Sequence, residues 1–214
     1  MTPFIRNFLA ALAGLLIAGA TAQAHPHVWV TMKSAVIYAP DGTVTGVRHA
    51  WTFDDMFSTF AIQGLESKKK GVFTREELQP LAEVNVTSLK EYEYFNYAKA
   101  NGKKTLFNDP VDYYLELKDS LLTLHFTLPL KTPMKAQSLD LEVFDPAYFV
   151  DFSFADKEAV ALNGAPAQCK VSVGKPQEMT KGLADRLSKI GPNEQIPENT
   201  FGAQFANRIS VKCP

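Results

Sequence analysis

The chain has 214 residues, with 22 Lys and Arg set against 23 Asp and Glu, and 46% of its residues are hydrophobic. So even a charge balance gives neither the basic footprint of a nucleic-acid-binding protein nor the polybasic patch that seeks an anionic membrane. The length suits one domain with a real core, with or without an appendage.

The first segment has the pattern of a cleavable export signal. Arg6 supplies a positive charge, Phe8 to Ala20 an apolar stretch, and Ala22-Gln23-Ala24 a small-x-small cleavage site. Residues 1–24 are therefore expected to be removed, leaving His25-Pro26-His27 at the mature terminus in the periplasm. The apolar stretch is short for a membrane span and no other long apolar run follows, so no membrane insertion of the mature chain is expected. No Cys stands at the cleavage site, which argues against a lipid anchor.

The following residues are β-rich. Val28-Trp29-Val30-Thr31 and Val36-Ile37-Tyr38 lead to the turn signal Pro40-Asp41-Gly42, and Thr43 to Phe53 forms the returning strand. The period of two puts Val47, His49, Trp51 and Phe53 on its inner face and Arg48, Ala50 and Thr52 on the other. Asp54 and Asp55 can cap a helix with the apolar stripe Met56, Phe57, Phe60, Ala61 and Leu65. Thr74 and Glu77 make a capping box for a second helix carrying Leu78, Leu81, Ala82, Asn85 and Leu89. The helical pair is thus an insertion at about 54–91.

The loop between these helices has the outline of a calcium-binding EF-hand. With Glu66 at position one, Gly71 falls at six and Glu77 at twelve. Positions three and five are Lys68 and Lys70, cations where carboxylates should be. The pattern predicts a degenerate EF-hand-like loop without calcium.

Further hairpins follow. Tyr94 to Ala100 and Lys103 to Phe107 flank Asn101-Gly102; Val111 to Leu117 and Leu121 to Leu130 flank Lys118-Asp119-Ser120. In the second of these, Leu122, Leu124, Phe126 and Leu128 face one way, and Thr123, His125 and Thr127 the other. Ser138 to Phe144, Ala147 to Phe154, Val160 to Leu162 and Gln168 to Val173 complete the strands, with a turn at Asp145-Pro146. Glu178 to Ile190 is an amphipathic helix, Gly191 to Asn199 a linker, and Phe201 to Val211 a closing segment. Cys169 and Cys213, an even pair in an oxidising compartment, are expected to form a disulfide. The main α+β domain is placed at 25–175, with the C-terminal helix and closing segment at 176–214.

The chemistry concentrates in the histidines. There are four, His25, His27, His49 and His125, and two of them stand at the first and third mature positions. Imidazoles two apart on an extended segment share a face about 7 Å apart and can share an ion. His49 and His125 would add further imidazoles. Such nitrogen donors, with a water or carboxylate, suit zinc, nickel or cobalt. The square-planar terminal site that uses a deprotonated second amide is excluded, because Pro26 has no N–H. A copper brace from the His25 amine and ring stays open. The chain has no G-x-S-x-G, no H-E-x-x-H and no glycine-rich phosphate loop, so an ordinary enzyme is not expected.

Four phrases occur in order: His25-Pro26-His27-Val28-Trp29; Trp51-Thr52-Phe53-Asp54-Asp55-Met56-Phe57; Leu124-His125-Phe126-Thr127-Leu128-Pro129-Leu130; and Phe144-Asp145-Pro146-Ala147-Tyr148-Phe149-Val150-Asp151-Phe152. In these the chain resembles a family of uncharacterised secreted bacterial proteins labelled the periplasmic component of an ABC-type transport system. The resemblance covers essentially the whole mature chain and implies association with a membrane permease of the nickel/cobalt class, in some cases with zinc. Many members carry an acidic loop where this chain has its lysines. The expectation is a mainly antiparallel, sandwich-like α+β protein that binds a divalent transition metal and supports its transport. The alternatives are a metal-free assembly partner of the permease, and a copper-binding protein or oxidase built on His25.

Overall fold

The computed structural model describes residues 26–69, 71–187 and 201–214. The expected leader, His25, Lys70, the last part of the expected C-terminal helix and the expected linker lie outside these residues.

Val28 begins β1 (Val28–Tyr38), whose side chains alternate between buried and exposed along its first half. The turn at Pro40-Asp41-Gly42 returns the chain as β2 (Val44–Phe53), paired antiparallel so that Ser34 faces His49 and Met32 faces Trp51. Asp54 then caps α1 (Asp55–Ala61), and Thr74 and Glu77 form the predicted capping box of α2 (Arg75–Leu89). Leu78, Ala82 and Val86, one turn apart, bury the face that α2 turns to the core.

The next elements are β3 (Asn96–Ala100), β4 (Lys103–Thr105), β5 (Val111–Lys118), β6 (Leu121–Met134) and β7 (Ser138–Val143). They are followed by β8 (Val150–Phe154), β9 (Val160–Asn163), β10 (Lys170–Gly174), α3 (Lys181–Leu187) and β11 (Asn207–Lys212). One sheet runs β5-β6-β2-β1-β8, with β9 also on β1; the other runs β10-β11-β7-β3-β4. The fold is α+β with mostly antiparallel strands in a sandwich-like arrangement. Its parallel pairings are those of β8 and β9 with β1.

The inner faces share one core. Met32, Trp51, Leu124, Phe126 and Leu128 come from the first sheet, and Leu141, Val143 and Ile209 from the second, all essentially inaccessible. Side chains of this size contribute about 1.5–3 kcal/mol each when fully buried. A satellite cluster of Tyr148, Leu187, Phe201 and Phe205 packs beside it.

The predicted disulfide joins Cys169 to Cys213. The closing segment is more than a tie, because β11 is hydrogen-bonded on both sides, to β10 and to β7. The C-terminal part of the chain therefore builds the second sheet together with strands from 96–174. Among the described residues no helix is long and apolar enough to cross a membrane.

Candidate metal centre at the entry of the first strand

The entry of β1 is shaped by a turn more than a hundred residues downstream. The buried Asp145 carboxylate accepts three backbone N–H groups, from Ala147 to Oδ1 at 2.8 Å and from Phe149 and Val150 to Oδ2 at 2.9 and 3.0 Å. This swings the chain out of β7 and delivers β8 alongside β1. The parallel register then sets Val28 against Val150 and Trp29 against Asp151. The Asp145 turn residue expected from sequence is thus the device that aims β8.

On the other side, Asp54 serves two elements at once. Its Oδ1 accepts the Phe57 N–H at 2.8 Å, capping α1, and its Oδ2 accepts the Trp29 N–H at 2.9 Å. With both oxygens so used, Asp54 is a cap and a strand clamp.

Between these supports, alternation puts His27, Trp29, Phe149 and Asp151 on the outer face of the first sheet. The His27 N–H donates to the Phe149 carbonyl at 2.8 Å, and its ring lies 4.6 Å from the Phe149 ring. Trp29 and Phe149 are 43% and 45% exposed, large aromatic surface to leave in water. Asp151 is half-buried, and this burial raises its carboxyl above the usual carboxylate range. Burial, and then the charge of Asp151, push the neighbouring Tyr148 phenol up.

The other predicted ligands lie elsewhere. His49 is on the inner face, 1% exposed, with its ring 5.2 Å from Phe126 and 5.7 Å from Trp51. Its Nδ1 is 3.0 Å from the Ser34 hydroxyl, and burial lowers its pKa to about 4, with the Asn96 side chain partly offsetting the shift. The sheet itself separates His49 from His27, so the two do not share an ion. The reason is the strand period, which sends residue 49 to the inner face with Val47 and Trp51.

His125 is on the outer face but distant. It pairs across β2 at Ala50, which in turn faces Lys33 on β1. Six residues of extended strand separate Lys33 from His27, about 20 Å. The His125 ring stacks on Tyr114 at 4.4 Å, and the Arg75 guanidinium covers Tyr114 at 3.7 Å from the ring centre. Burial holds the His125 pKa below its usual value; Glu116, 3.6 Å from Nε2, works the other way. A nearby guanidinium is poor company for a metal cation, and the stack joins the start of α2 to the first sheet. Among the described residues no three His, Cys, Asp or Glu side chains group so as to hold a metal; the predicted ligand His25 lies outside them.

The helix-linking loop keeps the EF-hand outline with different bonding. Gly71 takes the left-handed conformation (φ 76°), the sharp turn of position six. Glu77, at position twelve, accepts the Lys68 N–H at 2.9 Å and the Thr74 N–H at 2.8 Å. Backbone donors thus hold the carboxylate that would otherwise grip a calcium ion. On the second sheet, a groove of about 450 Å3 is lined by Tyr97, Lys99, Asp140, Glu142 and Arg208 among others. Its charges are largely matched internally, with Arg208 donating to Glu142 and Ser210 to Asp140, both at 2.7 Å.

The sequence singled out His27 but not its setting. Asp151, Phe149 and the Asp145 turn reach it through a parallel pairing for which the local sequence carries no signal. The polar partners of His49, Ser34 and Asn96, likewise come from other strands.

Fold and site together define a disulfide-closed, two-sheet α+β protein with a histidine at the entry of its first strand. The chain belongs to a family described as protein of unknown function (DUF1007), whose model matches residues 9–213. It is similar to an uncharacterised protein of Haemophilus influenzae, 26% identical over 196 residues that span 89% of this chain and 91% of that protein.

Proposed function

We propose that this protein is exported to the periplasm and there captures a divalent transition metal, zinc foremost and nickel or cobalt by the same chemistry, for a membrane permease of the nickel/cobalt class. The observation that carries this reading is the placement of His27 on the outer face at the start of β1, two residues after the His25 at which the sequence leads us to expect the mature chain to begin. His27 is anchored through its backbone and its ring on Phe149, while His25 and the α-amine supply the remaining nitrogen donors. The disulfide supports an oxidising compartment.

Neutral imidazole binds the ion and imidazolium does not, so capture weakens as the medium is acidified. Release in an acidic microenvironment or to a stronger ligand set on the permease follows from the same chemistry. The exposed Trp29 and Phe149 beside the site favour a second reading, in which this end docks on the permease without any metal.

Calorimetric titration of the protein starting at His25, with zinc, nickel, cobalt and copper, tests the proposal. One-to-one binding that disappears in His25→Ala/His27→Ala is the expected result. Absence of binding to every ion would leave the metal-free docking reading. Binding that is specific to copper and lost when one residue is added before His25 would favour a copper brace.

A further inference from the structure

We infer that the groove between the edge strand β4 and the end of β6 is an interaction surface for an extended, acidic peptide segment of a partner protein. The inference is independent of the metal-capture reading and concerns a different part of the molecule.

The first ground is charge. Residues 96–108 and 129–139 contain Lys99, Lys103, Lys104, Lys131 and Lys135, and neither Asp nor Glu. The whole chain has a net charge of -1, so these lysines are a local excess set against an acidic remainder. The fold brings the two stretches together. After β4 the chain crosses to the other sheet, where Phe107 bridges Leu130 and the Lys131 N–H donates to the Leu106 carbonyl at 2.8 Å. At the hairpin tip, Asn101 Oδ1 accepts the Gln137 and Ser138 N–H groups at 2.9 and 3.2 Å. Backbone contacts thus fix the lysine-bearing walls at both ends.

The second ground is the groove itself. It encloses about 450 Å3 and is lined by Lys103, Lys104 and Lys131, together with Thr105, Leu106 and Met134. Among the described residues Lys103 and Lys131 have no carboxylate within ion-pair distance. Lys104 reaches Glu93 at 3.3 Å, but both side chains are more than half exposed, so the pair holds neither firmly. Leu106 is 46% exposed and adds an apolar foothold among the ammonium groups.

The third ground is the strand edge, which selects the shape of the partner. β4 is the last strand of its sheet. The Asn101-Gly102 turn has positive φ at both residues (50° and 75°) and makes Ala100 and Lys103 the hydrogen-bonded pair that closes the hairpin. By alternation, the N–H and C=O of Lys104 point away from β3, to the free edge. An edge set with lysines repels a second copy of itself. An acidic chain matches it in charge and can pair with its backbone. A flat anionic bilayer matches the charge alone, because it meets the walls of a groove and not its floor, and the negative remainder of the chain opposes it.

The test measures binding of a fluorescent Glu-Glu-Leu-Glu-Glu-Leu peptide to the protein beginning at His25, by anisotropy at low salt. The same peptide with Gln for every Glu and vesicles of phosphatidylglycerol are run beside it. The acidic peptide should bind, the Gln peptide should not, and binding should weaken as salt screens the charges. Lys103→Glu/Lys131→Glu should cost about tenfold, two attractive pairs being turned into repulsive ones. Lys118→Glu/Lys157→Glu makes the same charge change at two exposed lysines outside the groove and should stay within a few-fold of wild type. Circular dichroism checks the fold of each variant; if the groove reversal does not fold, Lys103→Gln/Lys131→Gln takes its place and should still cost several-fold. Failure of the wild type to bind the acidic peptide would overturn the inference. So would equal losses in the groove and control variants, which would mean that only overall charge matters. Binding to the vesicles but not to the peptide would overturn it in favour of a membrane surface. Each of these results leaves the metal-capture reading where it stood.

Discussion

Closing the His49 ring between Trp51 and Phe126 strips it of water, and the imidazolium form loses most by it. The folded pKa of about 4 lies well below the ordinary value of 6.5. The unfolded chain therefore takes up a proton near pH 6.5 that the folded protein refuses. Stability from this residue is complete above about pH 6.5, declines as the pH falls, and has been lost once it passes about 4. The full difference is on the order of 3 kcal/mol. Urea unfolding at a series of pH values should show this decline in the wild type and a shallower one in His49→Gln, which does not titrate. Equal slopes would mean that carboxylates, not His49, govern acid unfolding. The same burial disqualifies His49 as a surface ligand, although a histidine looks alike in sequence in either role. Only the alternation with Val47, Trp51 and Phe53 hinted at the outcome.

Short elements carry much of the site's geometry. The 3₁₀ segment Phe201–Phe205 lies against the Asp145 turn, and the Gly202 N–H donates to the Pro146 carbonyl at 3.0 Å. A Cβ on Gly202 would fall 1.7 Å from the Asp145 carbonyl oxygen, a backbone atom that cannot step aside. Gly202→Ala should therefore cost about 3 kcal/mol and lower the melting temperature by roughly 10 °C. On the proposed metal-capture reading, zinc affinity should fall with it, because the displaced turn is the one that aims β8. An unchanged melting temperature would show that this contact is not essential. Hairpins, the capping box of α2 and the inner faces of β2 and β6 were legible in the sequence, because turn residues and periods of two or 3.6 are local signals. The pairing of β8 and β9 with β1 and the seating of β11 between β7 and β10 were not. Those partners are separated by tens to more than a hundred residues, and no short motif names the strand that a strand will meet.

At the scale of the whole molecule, the Cys169–Cys213 bridge spans 44 residues of chain and fastens the end of β11 near the start of β10. Loop-closure entropy gives such a bridge about 4 kcal/mol. Replacing both cysteines with serine should lower stability by up to that amount in urea titrations; a change below about 1 kcal/mol would mean that β11 holds its place between β7 and β10 without the bridge. The same region explains a feature of the chain's assembly. β1 is the first strand delivered, yet two of its three partners, β8 and β9, arrive with residues 150–163, and the second sheet is completed by residues 207–212. Nearly all of these contacts span large sequence separations, which slows folding. The second sheet cannot be completed before residues 207–212 are available, whereas the first needs nothing beyond residue 163. The strand that joins β7 to β10 is thus made after both of its neighbours, and the second half of the sandwich stays open until it arrives.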